Sequence, residues 1–549
     1  MKKPFPYDWF VSSVFILIVL LPLLFSFANR NVSVSATEKR RLAEFPAISL
    51  ATLHAFPKKF EAYYEDHFGF RDAIVRVHNY ALCKVFGISP HDMVVAGTDD
   101  WYFFNAEGAI SDYLGRVEYN KKQLERIKYT LHNRSEWLQS LNIRYLYLPI
   151  PNKEAVYDEY MPLILRKNKG YDSYSQVVDY LNKNSNFSDF VDTKKVLLDS
   201  KKEGLLYLRT DSHWNYDGAY FVYRSIISRM QQWFSDIRPL QQKNEKKWDN
   251  KFSGDLSILM NLNGLVTEKA PAINVLDECN PGTLQPWGQI TQLPEYADLP
   301  AHRIPVANGC KEKNLKAIVI HDSFGLFLRP YLSQHFASVI YITSMNFEGA
   351  KALIERERPN IVLDLRVARN IDRSVLPDPE LEQRLLAGKF AASGPAVVSI
   401  DKYNWLDYLY KSRKTIIQET TGGLNLSFSE QTSSVHLVIN SANQLETPLV
   451  VRIEGTNNQL RTMSFCSHLR GDKGELLRQV CEERNLGEGS NQIFFRIYDP
   501  QAQEILELAP STAGSFTLHA LQVKQEVSPE QDSEKTTGSA SLQDNLRRL

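Results

Sequence analysis

Residues 210–215 read Thr-Asp-Ser-His-Trp-Asn, and this stretch organises the domain around it. It directly precedes a segment whose apolar residues recur every three or four positions, the spacing of one buried helix face. We expect that helix to begin near Asp217 with a polar cap. Its apolar positions are Ala219, Val222, Ile226, Met230 and Trp233. The 210–215 stretch is therefore a short connection before a rigid element, where side chains are readily aimed outward.

An Asp two residues before a His can orient the imidazole and leave its second nitrogen free as a base. Asp211 and His213 have this spacing, and the serine that best completes the set is Ser323. Ser323 lies between an apolar strand at 315–320 and a predicted helix at 324–335. That turn would expose its hydroxyl beside helix N–H groups, which can stabilise an oxyanion. The predicted roles are nucleophile for Ser323, base for His213 and orienting acid for Asp211.

Helix capping is the alternative interpretation of the same residues. Asp and Ser are favoured N-cap residues, so Asp322 and Ser323 could simply start one helix. Asp211 or Asn215 could likewise start the helix that follows. The presence of both motifs in one α/β domain favours catalysis, but the pattern alone leaves the two interpretations nearly balanced.

Alternating strands and helices indicate an α/β domain with a three-layer, parallel sheet. The apolar strand at 143–150 ends at Pro151, Asn152 and Lys153, where open α/β sheets place ligands. The span from 263 to 309 has little periodicity and reads as a lid or an insertion. The region from about 415 to 525 consists of short alternating stretches typical of an antiparallel β-sandwich.

These patterns predict six segments. They are an N-terminal membrane anchor or signal at 1–30, a polar and helical segment at 31–90, an α/β domain that holds the candidate catalytic residues at 91–375, a connector at 376–414, a β-sandwich that is a candidate for carbohydrate binding at 415–525, and a disordered tail at 526–549.

The N-terminus indicates the compartment. Residues 9–28 are mostly apolar and long enough for one bilayer crossing, although Ser26-Phe27-Ala28 resembles a signal cleavage site. An uncleaved inner-membrane anchor is favoured, with the remaining chain periplasmic. Lys plus Arg and Asp plus Glu each number 64, so no net charge attracts nucleic acid.

Four of the five cysteines form two candidate pairs. Cys279 and Cys310 bracket a loop-like segment, and Cys466 and Cys481 flank a predicted hairpin. In an oxidising compartment both pairs could be disulfides, and the sequence supports free thiols equally well. No CxxC motif suggests a structural zinc or a thioredoxin-type site, and neither a metal nor a cofactor is predicted.

The sequence resembles the alginate O-acetyltransferases of the AlgX/AlgJ type, which have an SGNH-hydrolase-like domain. The resemblance rests on Asp-Ser-His-Trp-Asn at 211–215 and on His-Asp-Ser-Phe at 321–324, about 110 residues later. Supporting pieces, within roughly residues 1–375, are the apolar N-terminus, Glu-Lys-Arg-Arg-Leu at 38–42, Phe-Gly-Phe-Arg at 68–71, Pro-Asn-Lys at 151–153, Gly-Asp-Leu at 254–256 and the strand ending near Arg369.

The resemblance implies that the α/β domain at 91–375 is an SGNH-like acyltransferase domain, and that Asp211, His213 and Ser323 form its acyl-transfer triad. It further implies acetylation of hydroxyls on an exported polysaccharide, with acetyl groups supplied through a membrane-bound O-acyltransferase partner. His321 stands where SGNH enzymes usually have Gly, which affects the oxyanion geometry. Candidates for oxyanion or substrate contacts are Asn152, Arg369, Trp214, Asn215 and the Ser323 N–H.

Three other functions stay open from the sequence. An esterase would use the same triad and water as the acceptor. A metal-dependent deacetylase would use Asp211, His213 and His321 as ligands. A non-catalytic protein would bind or export glycan with a vestigial triad.

Overall fold

The computed structural model describes residues 9–17, 20, 41–48, 53–184, 187–288, 300, 303–343, 347–439, 448–460, 462–470, 476–497 and 505–526. The chain divides into two compact units. The first comprises residues 1–128 and 144–375, and the second comprises residues 129–143 and 376–549.

The first unit contains ten strands and most of the α-helices in the described ranges. The strands are β1 (Val94–Ala96), β2 (Tyr102–Phe104), β3 (Arg144–Ile150), β4 (Trp248–Phe252), β5 (Glu268–Pro271), β6 (Gln285–Pro286), β7 (Val306–Asn308), β8 (Lys316–His321), β9 (Ser338–Thr343) and β10 (Ile361–Val367). The helices are α1 (Phe56–His67), α2 (Arg71–Val85), α3 (Ala109–Tyr113), α4 (Lys121–Ser140, continuing into the second unit), α5 (Lys153–Val156), α6 (Leu163–Lys167), α7 (Ser173–Asn184), α8 (Thr193–Ser200), α9 (Tyr216–Met230), α10 (Asp255–Leu259), α11 (Arg329–Leu332), α12 (Lys351–Glu357) and α13 (Ile371–Ser374).

A six-stranded sheet with the order β3-β10-β8-β9-β7-β6 forms the centre of this unit. The first four strands are parallel, and β7 and β6 join antiparallel at one edge. The sheet is therefore mixed, and the predicted all-parallel sheet was wrong at that edge. The two added strands come from the 263–309 span, and at two and three residues they are too short to show a period of two.

Burial along the central strands shows that both faces of the sheet are covered. All seven residues of β10 are buried, as are six of the seven in β3. Successive strand residues point to opposite faces, so a continuous buried run requires packing on both sides. The core includes Leu146, Leu148, Val319 and Leu363 from the strands, together with residues of α9.

Helix α9 forms largely as its sequence predicts. Asn215 is its N-cap and accepts a hydrogen bond from the Gly218 N–H at 2.9 Å. Val222, Ile226 and Met230 are fully buried. The helix ends at Met230, so Trp233, predicted on its apolar face, lies beyond it while still packing against the core.

The predicted helix at 324–335 forms as three short helical pieces and not as one continuous α-helix. The chain forms a 3₁₀ turn at Ser323–Phe327, then α11, then a second 3₁₀ turn at Ser333–His335. Pro330 near the start of α11 lacks the N–H that a continuous helix would need there.

The second unit is rich in antiparallel strands. After α14 (Pro379–Ala392) come β11 (Val398–Ile400), α15 (Trp405–Tyr408), β12 (Leu409–Arg413), β13 (Thr415–Thr420), β14 (Gly423–Phe428), β15 (Ser434–Val438), β16 (Leu449–Asn458), β17 (Thr462–Arg470), β18 (Leu476–Asn485), β19 (Gly489–Ile497), β20 (Ile505–Pro510) and β21 (Gly514–Gln525). One sheet has the order β13-β14-β21-β16-β19 with β11 beside β21, and the other has the order β12-β15-β20-β17-β18. Inward side chains of both sheets, including Leu426, Leu437 and Leu508, share one hydrophobic cluster.

The stretch predicted as a connector, 376–414, contains regular structure that belongs to this unit. It provides α14, whose Phe390 packs against Phe494, and the strands β11 and β12. Pro379 is the first residue of α14, a position in which proline is favoured. The predicted tail lies outside the described residues except for Glu526.

The predicted N-terminal span at 9–28 is only partly described. Residues 9–17 and 20 are helical, and the others lie outside the described residues. Among the residues that the structure describes, no helix combines the length and apolarity needed to cross a membrane.

Candidate active site

The loop that carries Asp211 is held by a buried glutamate from β5. One carboxylate oxygen of Glu268 accepts a hydrogen bond from the Arg209 N–H at 2.8 Å. The other oxygen accepts from the N–H and the hydroxyl of Thr210 at 2.7 and 2.6 Å. Three bonds to one buried carboxylate fix the loop immediately before Asp211.

A buried lysine holds the same loop from the other side. Lys153 Nζ donates to the carbonyl oxygens of Tyr102, Arg209 and Asp211 at 2.6, 2.9 and 2.8 Å. It also lies 5.0 Å from the centre of the Trp101 ring. Burial lowers the pKa of Lys153 to about 7, while the three acceptors match the three donors of its charged form. Lys153 thus links β2 to the loop.

The turn after β8 places Ser323 at the carboxyl edge of the sheet. Asp322 caps this turn, accepting from the Phe324 N–H at 3.0 Å. Its second oxygen accepts from the Val367 N–H at 2.7 Å, which ties the turn to the end of β10. Burial raises the pKa of Asp322. Asp322 therefore has the capping role, and Ser323 is left partly exposed.

The two loops meet at the predicted residues. His213 Nε2 lies 2.7 Å from Ser323 Oγ, although 110 residues separate them. His213 Nδ1 lies 2.7 Å from Asp211 Oδ1, which also accepts from the His213 N–H at 2.9 Å. The second Asp211 oxygen accepts from the Asp255 N–H at 2.9 Å. The three side chains form a continuous hydrogen-bonded chain that ends at Ser323, a partly exposed residue.

Electrostatics of the pair favour an ionised aspartate beside a basic imidazole. Burial raises the pKa of Asp211, but the hydrogen bond from His213 and the charge of its ring outweigh burial and lower it. Burial lowers the pKa of His213, but Asp211 outweighs it, so the pKa of His213 lies above its ordinary value. A base with this pKa can accept a proton from a hydroxyl near neutral pH.

A second carboxylate approaches the same ring nitrogen and was given no role from the sequence. Asp255 Oδ2 lies 3.7 Å from His213 Nδ1. The Asp255 carboxylate accepts from the Ser212 N–H at 2.7 Å and from the Ser212 hydroxyl at 2.6 Å. Burial and the charge of Asp211 raise the pKa of Asp255. The only sequence signal was the Gly-Asp-Leu piece at 254–256; Glu268 lies in an unpatterned span and had none.

Two of the candidates for oxyanion or substrate contacts, Asn152 and Arg369, contact each other. Arg369 donates to Asn152 Oδ1 at 3.1 Å and to Glu107 at 2.9 Å. Asn152 in turn donates to Asp112 at 3.3 Å, and both Asn152 and Asp112 are buried. The Arg369 guanidinium lies 5.9 Å from the centre of the ring of Phe324, the neighbour of Ser323. These contacts hold a cation in a fixed orientation near the Ser323 turn.

The other two candidate side chains, Trp214 and Asn215, use their polar groups within the fold. The Trp214 indole N–H donates to the Phe324 carbonyl at 3.1 Å, which links the His213 loop to the Ser323 turn. Asn215 caps α9 and donates to the Leu205 carbonyl at 2.6 Å. Both side chains are buried, so they position the two loops.

The geometry does not place His321 with Asp211 and His213. The His321 ring is buried, with Nδ1 2.5 Å from the Asp322 carbonyl and Nε2 2.9 Å from Arg329. Burial and the Arg329 charge lower its pKa to about 3, so the ring is neutral. The side chains of Asp211, His213 and Asp255 lie close enough together to bind one metal ion. In this structure, however, Asp211 already accepts hydrogen bonds from the His213 ring and from the Asp255 N–H.

The structure joins the cysteines in the two candidate pairs. Cys279 is bonded to Cys310, and Cys466 to Cys481 on directly opposite positions of β17 and β18. Cys83 is a free thiol, and burial raises its pKa to about 11.

Residues 94–287 match the family model described as "SGNH hydrolase-like domain, acetyltransferase AlgX", which spans about a third of the chain. The matched segment contains Asp211, His213 and Asp255, whereas Ser323 lies outside it. A search of curated proteins found no match.

Several solved structures resemble the chain at low identity. PatB1 of Bacillus cereus is 17% identical with a TM-score of 0.36 and covers 52% of this chain and 98% of its own. The O-acetyltransferase domain of Pseudomonas putida AlgJ is 18% identical with a TM-score of 0.32 and covers 51% and 92%. AlgX of Pseudomonas aeruginosa is 13% identical with a TM-score of 0.34 and covers 79% and 95%.

Proposed function

We propose that this chain, which carries an SGNH hydrolase-like domain of the AlgX acetyltransferase type over residues 94–287, is an O-acetyltransferase. The observation that carries the proposal is the chain of contacts from Ser323 Oγ through His213 to Asp211, with both distances at 2.7 Å. The acceptor would be a hydroxyl of an exported polysaccharide. The sequence resemblance and the description of the matched family support this choice of reaction and substrate.

The reaction would proceed in two acyl transfers. In the first, Ser323 Oγ attacks the acetyl carbonyl while His213 Nε2 takes the hydroxyl proton. Collapse of the tetrahedral intermediate expels the donor's leaving group, which takes that proton and leaves acetyl-Ser323. In the second, a sugar hydroxyl attacks the acetyl group and gives its proton to Nε2. Ser323 Oγ leaves and recovers the proton, so the enzyme is regenerated.

The remaining residues would stabilise charge during these steps. Asp211 keeps the His213 proton on Nδ1, which leaves Nε2 as the acceptor, and balances the imidazolium charge. Arg369 and Asn152, with the Ser323 N–H, are the proposed donors to the oxyanion or to substrate. No metal or cofactor has a step in this scheme.

Export and membrane attachment form part of the proposal. The apolar N-terminus and the two disulfides agree with a periplasmic protein held at the inner membrane, or released after signal cleavage. The acetyl donor would arrive through a membrane-bound O-acyltransferase. The antiparallel sheets of the second unit would bind carbohydrate or serve a structural role.

Labelling of the full chain tests the nucleophile. Phenylmethylsulfonyl fluoride followed by peptide mass spectrometry should modify Ser323 in the wild type. The modification should disappear in His213→Ala and persist in Asp249→Asn, a control that removes an exposed carboxylate on β4. Labelling elsewhere, or unchanged labelling in His213→Ala, would contradict the proposed triad.

An esterase is the second candidate, because water could replace the sugar hydroxyl in the second step. Incubation with 4-nitrophenyl acetate, with and without an acetyl-free oligosaccharide, separates the two. A transferase yields acetylated oligosaccharide in proportion to nitrophenol, and an esterase yields only free acetate. The transferase is preferred because the matched family is described as an acetyltransferase.

A further inference from the structure

Asp255 makes contacts that its place in a helix does not require. It is the first residue of α10, a position where the helix dipole alone favours a carboxylate. Its carboxylate instead accepts hydrogen bonds from the N–H and the hydroxyl of Ser212, in the loop that carries His213. Its backbone N–H meanwhile donates to the free oxygen of Asp211. Asp255 is therefore hydrogen-bonded to Asp211 and to Ser212, the two residues that precede His213 in the chain.

The distances place its negative charge at the same ring atom that Asp211 serves. Asp255 Oδ2 is 3.7 Å from His213 Nδ1, compared with 2.7 Å for Asp211 Oδ1. The Ser212 hydroxyl lies close to both groups, 2.6 Å from Asp255 Oδ2 and 3.3 Å from His213 Nδ1. Because the hydroxyl donates to the carboxylate, its lone pairs are free to face the Nδ1 proton.

We propose that Asp255, acting with the Ser212 hydroxyl, is a second acid that positions His213 and stabilises its charged form during acyl transfer. This role rests on the proposed function above and deepens it. Asp255 is a positioning residue, since it acts through His213 and does not touch the reacting atoms.

The chemistry needs no proton on Asp255. When Ser323 Oγ attacks, its proton moves to His213 Nε2, and the ring becomes an imidazolium whose second proton stays on Nδ1. Asp211 accepts that proton in a direct hydrogen bond, and Asp255 adds a second negative charge on the same side. The proton on Nε2 then passes to the leaving group, and both carboxylates end the cycle as they began.

Other charges around His213 limit how strongly one carboxylate can act. Arg369 lowers the pKa of His213, while Asp211 and Asp255 both raise it. Lys153 lies under the loop and interacts with Asp211, Asp255 and Glu268. The Asp255 side chain is 41% exposed, so water screens part of its field.

The pH dependence of Ser323 labelling by phenylmethylsulfonyl fluoride tests this role in the full chain. Labelling requires neutral His213, so the acid limb of the rate profile reports the pKa of His213 in the free protein. Loss of the Asp255 charge makes the imidazolium less favourable, so Asp255→Asn should move this limb to lower pH by about one pH unit. The acetyl-transfer kcat should fall about tenfold at pH 8, with KM nearly unchanged.

Three variants separate charge from folding. Asp255→Glu keeps the charge and should leave the limb close to that of the wild type. Ser212→Ala removes the anchor of the carboxylate and should shift the limb in the same direction by about half as much. Asp249→Asn, the exposed control, should match the wild type in both limb and kcat. If Asp255→Asn does not fold, the acid limb of the labelling profile of Ser212→Ala tests the role of Asp255 by itself.

The outcomes distinguish this inference from the function on which it rests. Wild-type protein that is not labelled at Ser323 would overturn the proposed triad and this role together. A labelled wild type whose Asp255→Asn and Ser212→Ala variants keep the wild-type limb would overturn only the role of Asp255.

Discussion

Replacement of Asp211 by Asn creates a conflict that the surrounding hydrogen bonds cannot resolve. In the wild type, Oδ1 accepts from His213 Nδ1 and from its N–H, and Oδ2 accepts from the Asp255 N–H. Both oxygens are therefore acceptors, and an amide offers only one. If its oxygen faces His213, its NH₂ group meets the Asp255 N–H. If its oxygen faces Asp255, its NH₂ group meets Nδ1 and stabilises the wrong tautomer.

Each alternative has a cost that can be worked out from these contacts. Leaving a partly buried N–H of Asp255 or His213 without an acceptor costs up to about 1–3 kcal/mol of folding free energy. The wrong tautomer puts the proton on Nε2, where it can no longer accept one from Ser323. Loss of an orienting carboxylate in a triad of this geometry lowers kcat by roughly 10⁴-fold. We therefore expect Asp211→Asn to lower kcat by about three to four orders of magnitude.

The pH dependence gives a second measure of the same change. The pKa of His213 is raised by Asp211, so the acid limb of wild-type kcat/KM should lie above the ordinary value of 6.5. Without the carboxylate the imidazolium is less stable, and the limb should move to lower pH. The stability that ionised Asp211 contributes is present above its ordinary pKa of 3.8 and is lost as pH falls below that, because its pKa is lowered.

Hydrolysis of 4-nitrophenyl acetate across pH 5 to 9, with urea unfolding of the same samples, measures both effects. Asp249→Asn is the matched control for the loss of one carboxylate. An Asp211→Asn variant that keeps more than about a tenth of wild-type kcat, with its acid limb unmoved, would refute the assignment of Asp211 as the orienting acid.

Three further substitutions test the nucleophile and its supports. Ser323→Ala should abolish turnover and labelling while changing the urea midpoint little, since only a partly exposed hydroxyl is lost; residual turnover above about 1% would count against an acyl-serine. Glu268→Gln replaces one acceptor oxygen by a donor that faces the backbone at 209–210, so it should lower the free energy of unfolding by about 1–3 kcal/mol and also lower kcat. An unchanged urea midpoint would contradict the role of Glu268 in holding the loop. Gly254→Ala would place a Cβ 2.4 Å from the Thr210 backbone and should reduce kcat at least tenfold. In the control Gly349→Ala the added Cβ meets open space, so kcat should not change. Equal activities of the two variants would show that the close approach of Gly254 to Thr210 is unimportant.

The local parts of the site were predictable because their geometry depends on short stretches of chain. Asp211 reaches His213 across one intervening residue, and Asn215 caps the helix that follows, so both contacts are implicit in the 210–215 stretch. The apolar face of α9 and the buried runs of β3 and β10 follow from periodicity and continuity of the apolar residues. The same reasoning was less reliable where proline or very short strands removed the pattern, as at 324–335 and at the antiparallel sheet edge.

What only the tertiary structure decided are the contacts between segments far apart in the chain. The strand order β3-β10-β8-β9 brings Ser323 to the edge of the sheet where it contacts His213. The sequences of parallel strands do not indicate which strand pairs with which. Asp255 and Glu268 meet the loop from positions 43 and 58 residues away from the residues they bind, in segments without periodicity. Sequence by itself identified the side chains to which the proposal gives roles in acyl transfer, because that choice depends on chemical type and local spacing. Their assembly depended on burial and hydrogen bonding across the whole sheet, which is a property of the folded chain alone.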